Sequence, residues 1–424
     1  MIKFLLKGIL RDKSRSFLPI IIIAMGVSLT VLLSGYMRGA MGDMIDQNAR
    51  FDTGHVKVMS RAYAENKDQL PNDLALLGVD SLIKALTKSF PNLQWIKRIR
   101  MGGLLDAPNE KGDSKGQGPT VGLALSLIDR NSGEAERLNI ESSLVTGRLP
   151  TKKEEAILGH DFAQKLNLAL GDKVTYMGNT MNGSMTFKNF VLCGTIRFGV
   201  PMMDRGAMII DVADAQDMLD MNDGAGEIVG FLNTKLYDNE IAEKITETFN
   251  ANYNETDDEF APLMQTLKQQ NNLAVMLDYA DSMSGIFVML FVMAMSVVLW
   301  NTGLLGGLRR YKEFGIRLAL GESKNRIYST LIIEAVLIGL IGSVVGTFIG
   351  LMGTYYLQVY GIDISGFLEN STMLMPSVIR AKITPELFFI GFIPGVLAMV
   401  FGNMLSGMGI YRRETASLFK ELEV

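Results

Sequence analysis

The chain has 424 residues, 48% of them hydrophobic and 20% charged, with a mean hydropathy of +0.20. It is too apolar for an ordinary soluble enzyme and too charged to lie in lipid throughout, so a mixed membrane and aqueous architecture is expected. A formal net charge of −4 gives no electrostatic reason to expect nucleic acid, whose phosphates need clustered Lys and Arg outside the membrane flanks, and the single Cys193 excludes an internal disulfide.

Residues 1–16 carry Lys3, Lys7, Arg11, Lys13 and Arg15 and read as a cytoplasmic amphipathic lead-in. Residues 17–37, Phe17 to Met37, contain no charge and supply the roughly 20 apolar residues that cross a bilayer. The run is too long for a signal-peptide core and has no small-x-small cleavage site, so a retained anchor is expected. Residues 38–261 then read as an extracytoplasmic α+β domain. Strand patterning appears over His55–Met59, Thr120–Ile128, Met185–Ile196 and Ala207–Val212. Helical periodicity appears over Ser81–Phe90, Asp161–Leu168, Ala213–Met221 and Asn239–Phe249. Gly102-Gly103 and the polar stretch Asn109–Gly118 read as turns or a mobile loop. Leu263, Leu267, Leu273 and Leu277 recur without a breaker, which predicts a stalk helix over 262–282.

Three further apolar stretches follow at 283–308, 327–360 and 387–411, for a total of four expected spans. They are separated by a charged segment at 309–326 and a loop at 361–386, and the chain ends in a basic tail at 412–424. Lys and Arg collect in residues 1–16, 309–326 and 412–424, which places those three segments and both termini in the cytoplasm. The large domain and the 361–386 loop then face outward, which is the periplasm if the cell is Gram-negative.

No catalytic constellation emerges. The chain has no Gly-Lys dipeptide, so it lacks the phosphate-cradling loop of an ATPase, and GxSxG and HExxH are also absent. His55 and His160 stand in no ligand spacing. No metal or cofactor bound by this chain is expected, and its many methionines read as packing or lipid contact.

Segment 309–326, "RRYKEFGIRLALGESKNR", lies between two spans. As a helix it places Tyr311, Phe314 and Leu318 on one face and Arg310, Glu313 and Arg317 on another, with Glu313 and Arg317 at i,i+4. Gly321 can supply a left-handed C-cap and Ser323 can cap the next helix. A basic loop that only fixes topology is the alternative. In the third span Glu334 is the one obvious intramembrane ionisable residue, and a hydrogen-bonding partner, Asn301 or Asn403, is expected for it. Gly339, Gly342, Gly346 and Gly350 form a row that lets helices approach closely. The row suits a contact between two copies of the chain and packing within one chain, against span two or four, equally well.

The pattern Arg310-x-x-Glu313-Phe314-Gly315-Ile316-Arg317-Leu318-Ala319-Leu320-Gly321, followed by Glu334 and a glycine-rich helix, resembles the signature of permeases of the MacB, LolC/LolE and FtsX type. "LLKGILRDKSRSFLPIIIIAMGVSL" is similar to that family's approach to its first span, and "GRLPTKKEEAILGHDFAQKLNLALGDKVTY" to its extracytoplasmic domain. "FDTGHVKVMS" and the four-span layout resemble the lipoprotein-release branch. The tail "RRETASLFKELEV" departs from the family pattern, which often has a proline before a Leu-Arg pair.

The resemblance implies a MacB-like periplasmic core inserted between spans one and two, in the bacterial inner membrane. It implies a non-catalytic subunit paired with a dimeric ABC ATPase, which binds the ATP and Mg, and with a second permease, identical or homologous. The segment after span two would be the coupling helix that touches the ATPase, through Arg310, Tyr311, Glu313, Phe314, Gly315, Arg317, Leu318 and Gly321. The expected cargo is a lipoprotein bound for the outer membrane, drawn from membrane lipid past Met37, Met41 and Met44, whose helical spacing also suits plain packing. MacB-like efflux, FtsX-like signalling with a periplasmic partner, and a membrane-anchored sensor without an ATPase are the alternative readings.

Overall fold

The computed structural model describes residues 13–109, 113–233, 237–253, 258–270, 273–363 and 378–412. The chain forms two compact units, one of residues 44–275 with 363–377 and one of 1–43, 276–362 and 378–424.

The first unit is built on a ten-stranded mixed sheet. Its strands are β1 (Val56–Ser60), β2 (Leu93–Pro108), β3 (Ser114–Leu125), β4 (Leu144–Gly147), β5 (Glu155–Gly159), β6 (Lys173–Asn179), β7 (Met185–Ile196), β8 (Ala207–Asp211), β9 (Glu227–Leu232) and β10 (Pro262–Thr266). They lie in the order β10-β1-β9-β2-β3-β8-β5-β7-β4, with β6 bridging β2 and β7. The pairs β3/β8 and β5/β7 are parallel and the others antiparallel. The main core takes Val56 and Val58 from β1, Leu93, Trp95, Ile99 and Met101 from β2, and Ile228 from β9. A second core gathers Leu125, Leu138, Ile140, Ile157, Ile196 and Ile209.

Four helices of this unit fall close to the predicted segments. Helix α2 spans Val79–Ser89, α3 His160–Lys165, α4 Val212–Met218 and α5 Asn239–Asn250. Asp238 caps α5 by accepting from the N–H groups of Glu240 and Ile241, and Asp211 caps α4 by accepting from Ala213.

Besides Ser114–Gly118, which open strand β3 rather than lying in a turn or loop, two sequence expectations need correction. Gly102-Gly103 is not a turn but the middle of β2, paired with Val121 and Thr120. A Cβ on Gly103 would sit 2.5 Å from the Met177 carbonyl oxygen, and the Tyr176 hydroxyl donates to the Gly102 carbonyl at 2.8 Å. The glycines serve close approach of β6, a use that sequence does not distinguish from a turn.

The stalk helix over 262–282 is the second correction, because Pro262–Thr266 is an edge strand paired with β1 from Val56↔Thr266 to Ser60↔Pro262. Thr266 and Gln269 form a capping box that ends it, and helix α6 starts only at Leu273. Leu263 and Leu267 satisfied a helical period by coincidence; a short strand followed by a turn accommodates the same spacing.

The second unit is helical. Helix α1 spans Lys13–Asn48, α6 Leu273–Ala319, α7 Lys324–Tyr360 and α8 Phe392–Arg412. Helix α1 therefore runs well past Met37, the predicted end of the first span. Ile23, Val27 and Val31 of α1, Met295 and Leu299 of α6, Ala335 and Ile338 of α7, and Ala398 and Met399 of α8 share one apolar core.

Among the described residues, three helices are long and apolar enough to cross a membrane: Ser16–Thr53, Lys324–Tyr360 and Leu387–Met404. The described apolar part of α6, Gly285–Asn301, is shorter.

Candidate functional site

The chain enters the sheet through residues 44–53 and leaves it through 262–275, and both segments meet on one face. Ala49–Thr53 add a π-helical turn after α1, and Gly54 ends it at φ +61°, a backbone conformation that suits glycine. Met44 and Ile45 pack with Ala49 on Ile96, Val229 and Phe231, and Leu267 and Leu273 complete the cluster. Gln270 Nε2 lies 3.5 Å from the Thr53 carbonyl and 3.1 Å from that of Thr266, which ties the incoming segment to the outgoing one.

The same face carries buried charge. Strand side chains alternate between faces. The register Lys57↔Val229 and Glu227↔Arg98 therefore aligns Lys57, Glu227, Arg98 and Arg100. Lys57 is 1% exposed, and its Nζ is 2.8 Å from Asp52 Oδ1 and 3.1 Å from Glu227 Oε2. Arg100 donates to Asp52 Oδ1 at 2.8 Å and to the Phe51 carbonyl at 3.1 Å. Burial works against the Arg100 charge, but Glu227 and Asp52 more than offset it and raise its pKa. The π turn is thus pinned to β1, β2 and β9 by Asp52.

Beside this network, Arg98 and Glu134 are wholly buried and paired through two hydrogen bonds of 2.8 and 3.0 Å. Arg137 adds a third at 2.7 Å to Glu134, and its guanidinium lies 4.2 Å from the centre of the Phe231 ring. Burial works against the ionised Glu134, yet the two guanidiniums hold its carboxyl below the usual range. His55 is buried edge-on to Phe231 and Tyr237, and its Nδ1 accepts from the Leu232 N–H at 3.0 Å. Burial pushes its pKa down to about 4, although Asp46 pulls the other way. The neutral ring with an accepting Nδ1 carries its proton on Nε2.

No side chain here is poised as a nucleophile. The Asp52 cluster and the apolar patch instead fix residues 49–53 and 267–273 on one sheet, while the Arg98–Glu134–Arg137 cluster fixes residues 134–137 to β2. Sequence reading missed Asp52, Lys57, Arg98, Arg100, Glu134 and Glu227. The available signal was a charge standing alone in an apolar strand, as Glu227 does in "EIVGFL".

The predicted site residues lie elsewhere. Arg310, Tyr311, Glu313, Phe314 and Gly315 fall on the last turns of α6, which runs unbroken to Ala319; their side chains lie outside the described residues. Gly321 at φ +89° closes a Schellman motif, with Gly321 N–H donating to Leu318 O and Glu322 N–H to Arg317 O, both at 3.0 Å. Leu318 packs within the chain against Ile327, while Ile316 and Leu320 are exposed. Ser323 holds the N-cap position of α7 without a side-chain cap hydrogen bond.

Glu334 is half-buried and makes a polar or electrostatic contact. Asn403 donates its amide to Met399 O in its own helix at 3.0 Å. The glycine row packs within the chain, chiefly against α1 rather than against span two. A Cβ at Gly342 would lie 2.8 Å from Ile23 Cβ, at Gly346 2.7 Å from Val27 Cβ, and at Gly350 2.8 Å from Val31 Cβ, whereas Gly339 faces α8. Met37 and Met41 are half-buried, and Met44 belongs to the packed cluster of the first unit. Among the described residues no group of three His, Cys, Asp or Glu could hold a metal ion.

Residues 16–251 match the family model of the MacB-like periplasmic core domain, and residues 285–415 that of the FtsX-like permease C-terminal region. No curated protein matches. Among solved structures, the periplasmic region of MacB from Actinobacillus actinomycetemcomitans aligns at 13% identity over 52% of this chain and 93% of its own, with a TM-score of 0.36. A permease-protein domain from Porphyromonas gingivalis aligns at 11% identity over 43% of this chain and 79% of its own, with a TM-score of 0.27.

Proposed function

The chain belongs to the family of FtsX-like permeases with a MacB-like periplasmic core domain, and we propose that it carries ATP-driven motion to that domain in order to release lipoproteins from the inner membrane. Members of the family are membrane subunits of ABC systems. In this reading a separate ABC ATPase binds ATP and Mg and docks on 309–319, a second permease completes the complex, and four spans leave both termini in the cytoplasm.

One observation carries the proposal: the segments entering and leaving the extracytoplasmic domain are fixed side by side on one sheet, by the Asp52–Lys57–Arg100–Glu227 network and the Phe231 cluster. A displacement of either segment is then a displacement of the sheet. The motif "FDTGHVKVMS", which resembles the lipoprotein-release branch, supplies Phe51, Asp52, His55 and Lys57 to this joint.

Depletion of the protein is expected to leave outer-membrane lipoproteins in the inner membrane, measured by fractionation. Normal sorting together with altered drug sensitivity would instead make it an efflux permease. Phe314→Ala is expected to weaken ATPase copurification about thirtyfold, the effect of losing roughly 2 kcal/mol at a buried aromatic anchor. Unchanged copurification would leave 309–326 as a loop that only sets topology.

A further inference from the structure

Beyond the large domain, residues 378–386 form a strap that crosses α1 at Gly35–Gly39 and the end of α7. Its backbone N–H groups donate from Ala381 to Leu357 O at 3.4 Å, from Lys382 to Gly35 O at 3.0 Å and from Ile383 to Gln358 Oε1 at 3.1 Å. Arg38 and Glu386 form an ion pair across it. Ile383, Thr384 and Pro385 of the strap, with Phe388, Phe389 and Phe392 after it, line an open-sided hollow of about 630 Å³, within the range of roughly 300–1,000 Å³ common for small-molecule pockets. Phe389 is 73% exposed. The end of α7 beside it carries the exposed Tyr355, Tyr356 and Tyr360, and such tyrosines favour the headgroup level of a bilayer.

The hollow has a polar side as well. Arg380 and Lys382 are exposed and take part in no ion pair recorded among the described residues. Thr384 Oγ1 is shielded from solvent and has no hydrogen-bond partner among the described residues. A hydroxyl left without a partner away from water is costly. An aromatic trough at the membrane boundary, two exposed cations directly before it in the chain and a hydroxyl in its wall without a partner among the described residues match the parts of one molecule. We propose that this hollow binds an anionic phospholipid, with an acyl chain against Phe388, Phe389 and Phe392, an ester oxygen accepting from Thr384, and the phosphate between Arg380 and Lys382. The phosphate distinguishes this occupant from the acyl anchor of a lipoprotein, whose glyceryl group carries none. The site requires only a membrane-embedded chain and stands apart from the cargo reading.

The test uses the full chain purified in nonionic detergent, with lipid retention counted by native mass spectrometry. Dioleoylphosphatidylglycerol is expected to be retained as one tight copy in preference to dioleoylphosphatidylcholine. Arg380→Gln and Lys382→Gln should each weaken its retention about fivefold. Phe389→Ala, at a position too exposed to matter for folding, should lose it, while Phe348→Ala, equally lipid-facing on α7, should not. Equal retention of the two lipids, or indifference to the three variants, would overturn the proposal. So would displacement of the lipid, one for one, by a triacylated lipopeptide, which would give the site to cargo.

Discussion

The helical unit and the base of the sheet solve opposite packing problems. Between α1 and α7 the contact is built from missing atoms, since Gly342, Gly346 and Gly350 leave room for Ile23, Val27 and Val31. At the base of the sheet it is built from charges, with Lys57, Arg98, Glu134 and Glu227 almost wholly removed from solvent. The first kind of contact tolerates lost charge but no added volume. The second tolerates changes of volume better than the loss of one partner, because the remaining charge stays buried.

The largest expected effect tests the charged joint. Arg98→Met leaves Glu134 with Arg137 alone and should destabilise the domain by about 3–5 kcal/mol, read from urea unfolding of the full chain. Adding Glu134→Leu should recover most of that loss, since an apolar replacement of a buried pair is often neutral. A double variant no more stable than the single one would mean that the joint depends on shape rather than on charge balance.

The next effect is smaller and depends on pH. The folded pKa of His55 lies at about 4, below the ordinary value of 6.5, so the unfolded chain binds its proton first as pH falls. The stability is present in full above pH 6.5 and is lost as pH falls toward 4, by about 3 kcal/mol. His55→Gln, whose side-chain oxygen can still accept from the Leu232 N–H, should flatten that part of the pH profile. Parallel profiles for the parent and the variant would mean that His55 does not titrate in this window.

The smallest effect falls on the bundle. Gly346→Ala puts a methyl group 2.7 Å from both the Ala24 carbonyl oxygen and Val27 Cβ and should cost about 1–3 kcal/mol of overpacking. Gly285→Ala, where a Cβ meets nothing within 4 Å, should be neutral or stabilise by up to about 1 kcal/mol through helix propensity. Similar thermal shifts for the two would remove the case that the glycine row is a tight seam.

Much of the molecule was legible in the sequence. Long apolar runs located the helices, because a span must satisfy its own backbone and shows this as uninterrupted hydrophobicity. The strand Met185–Ile196 and the helix starting at Asn239 could be read because one face of each is polar. Gly321 was recognisable as a cap because few residues accept a positive φ. The direction in which the glycine row faces was not, since α7 presents the same pattern to a sister copy and to its own α1.

What tertiary structure alone decided was the fate of the charges in the sheet. Strand β2 carries Lys97, Arg98 and Arg100, to which the sequence reading gave no role. The counter-charges of Arg98 and Arg100 arrive from Asp52, Glu134 and Glu227, 36 to 127 residues away in the chain. Local composition records that a residue is charged, but not that folding brings its partner to it, and only a partner makes burying the charge affordable. Pro262–Thr266 follows the same logic: its apolar spacing fits a helix or a strand, and the open edge of β1, a long-range feature, chose the strand.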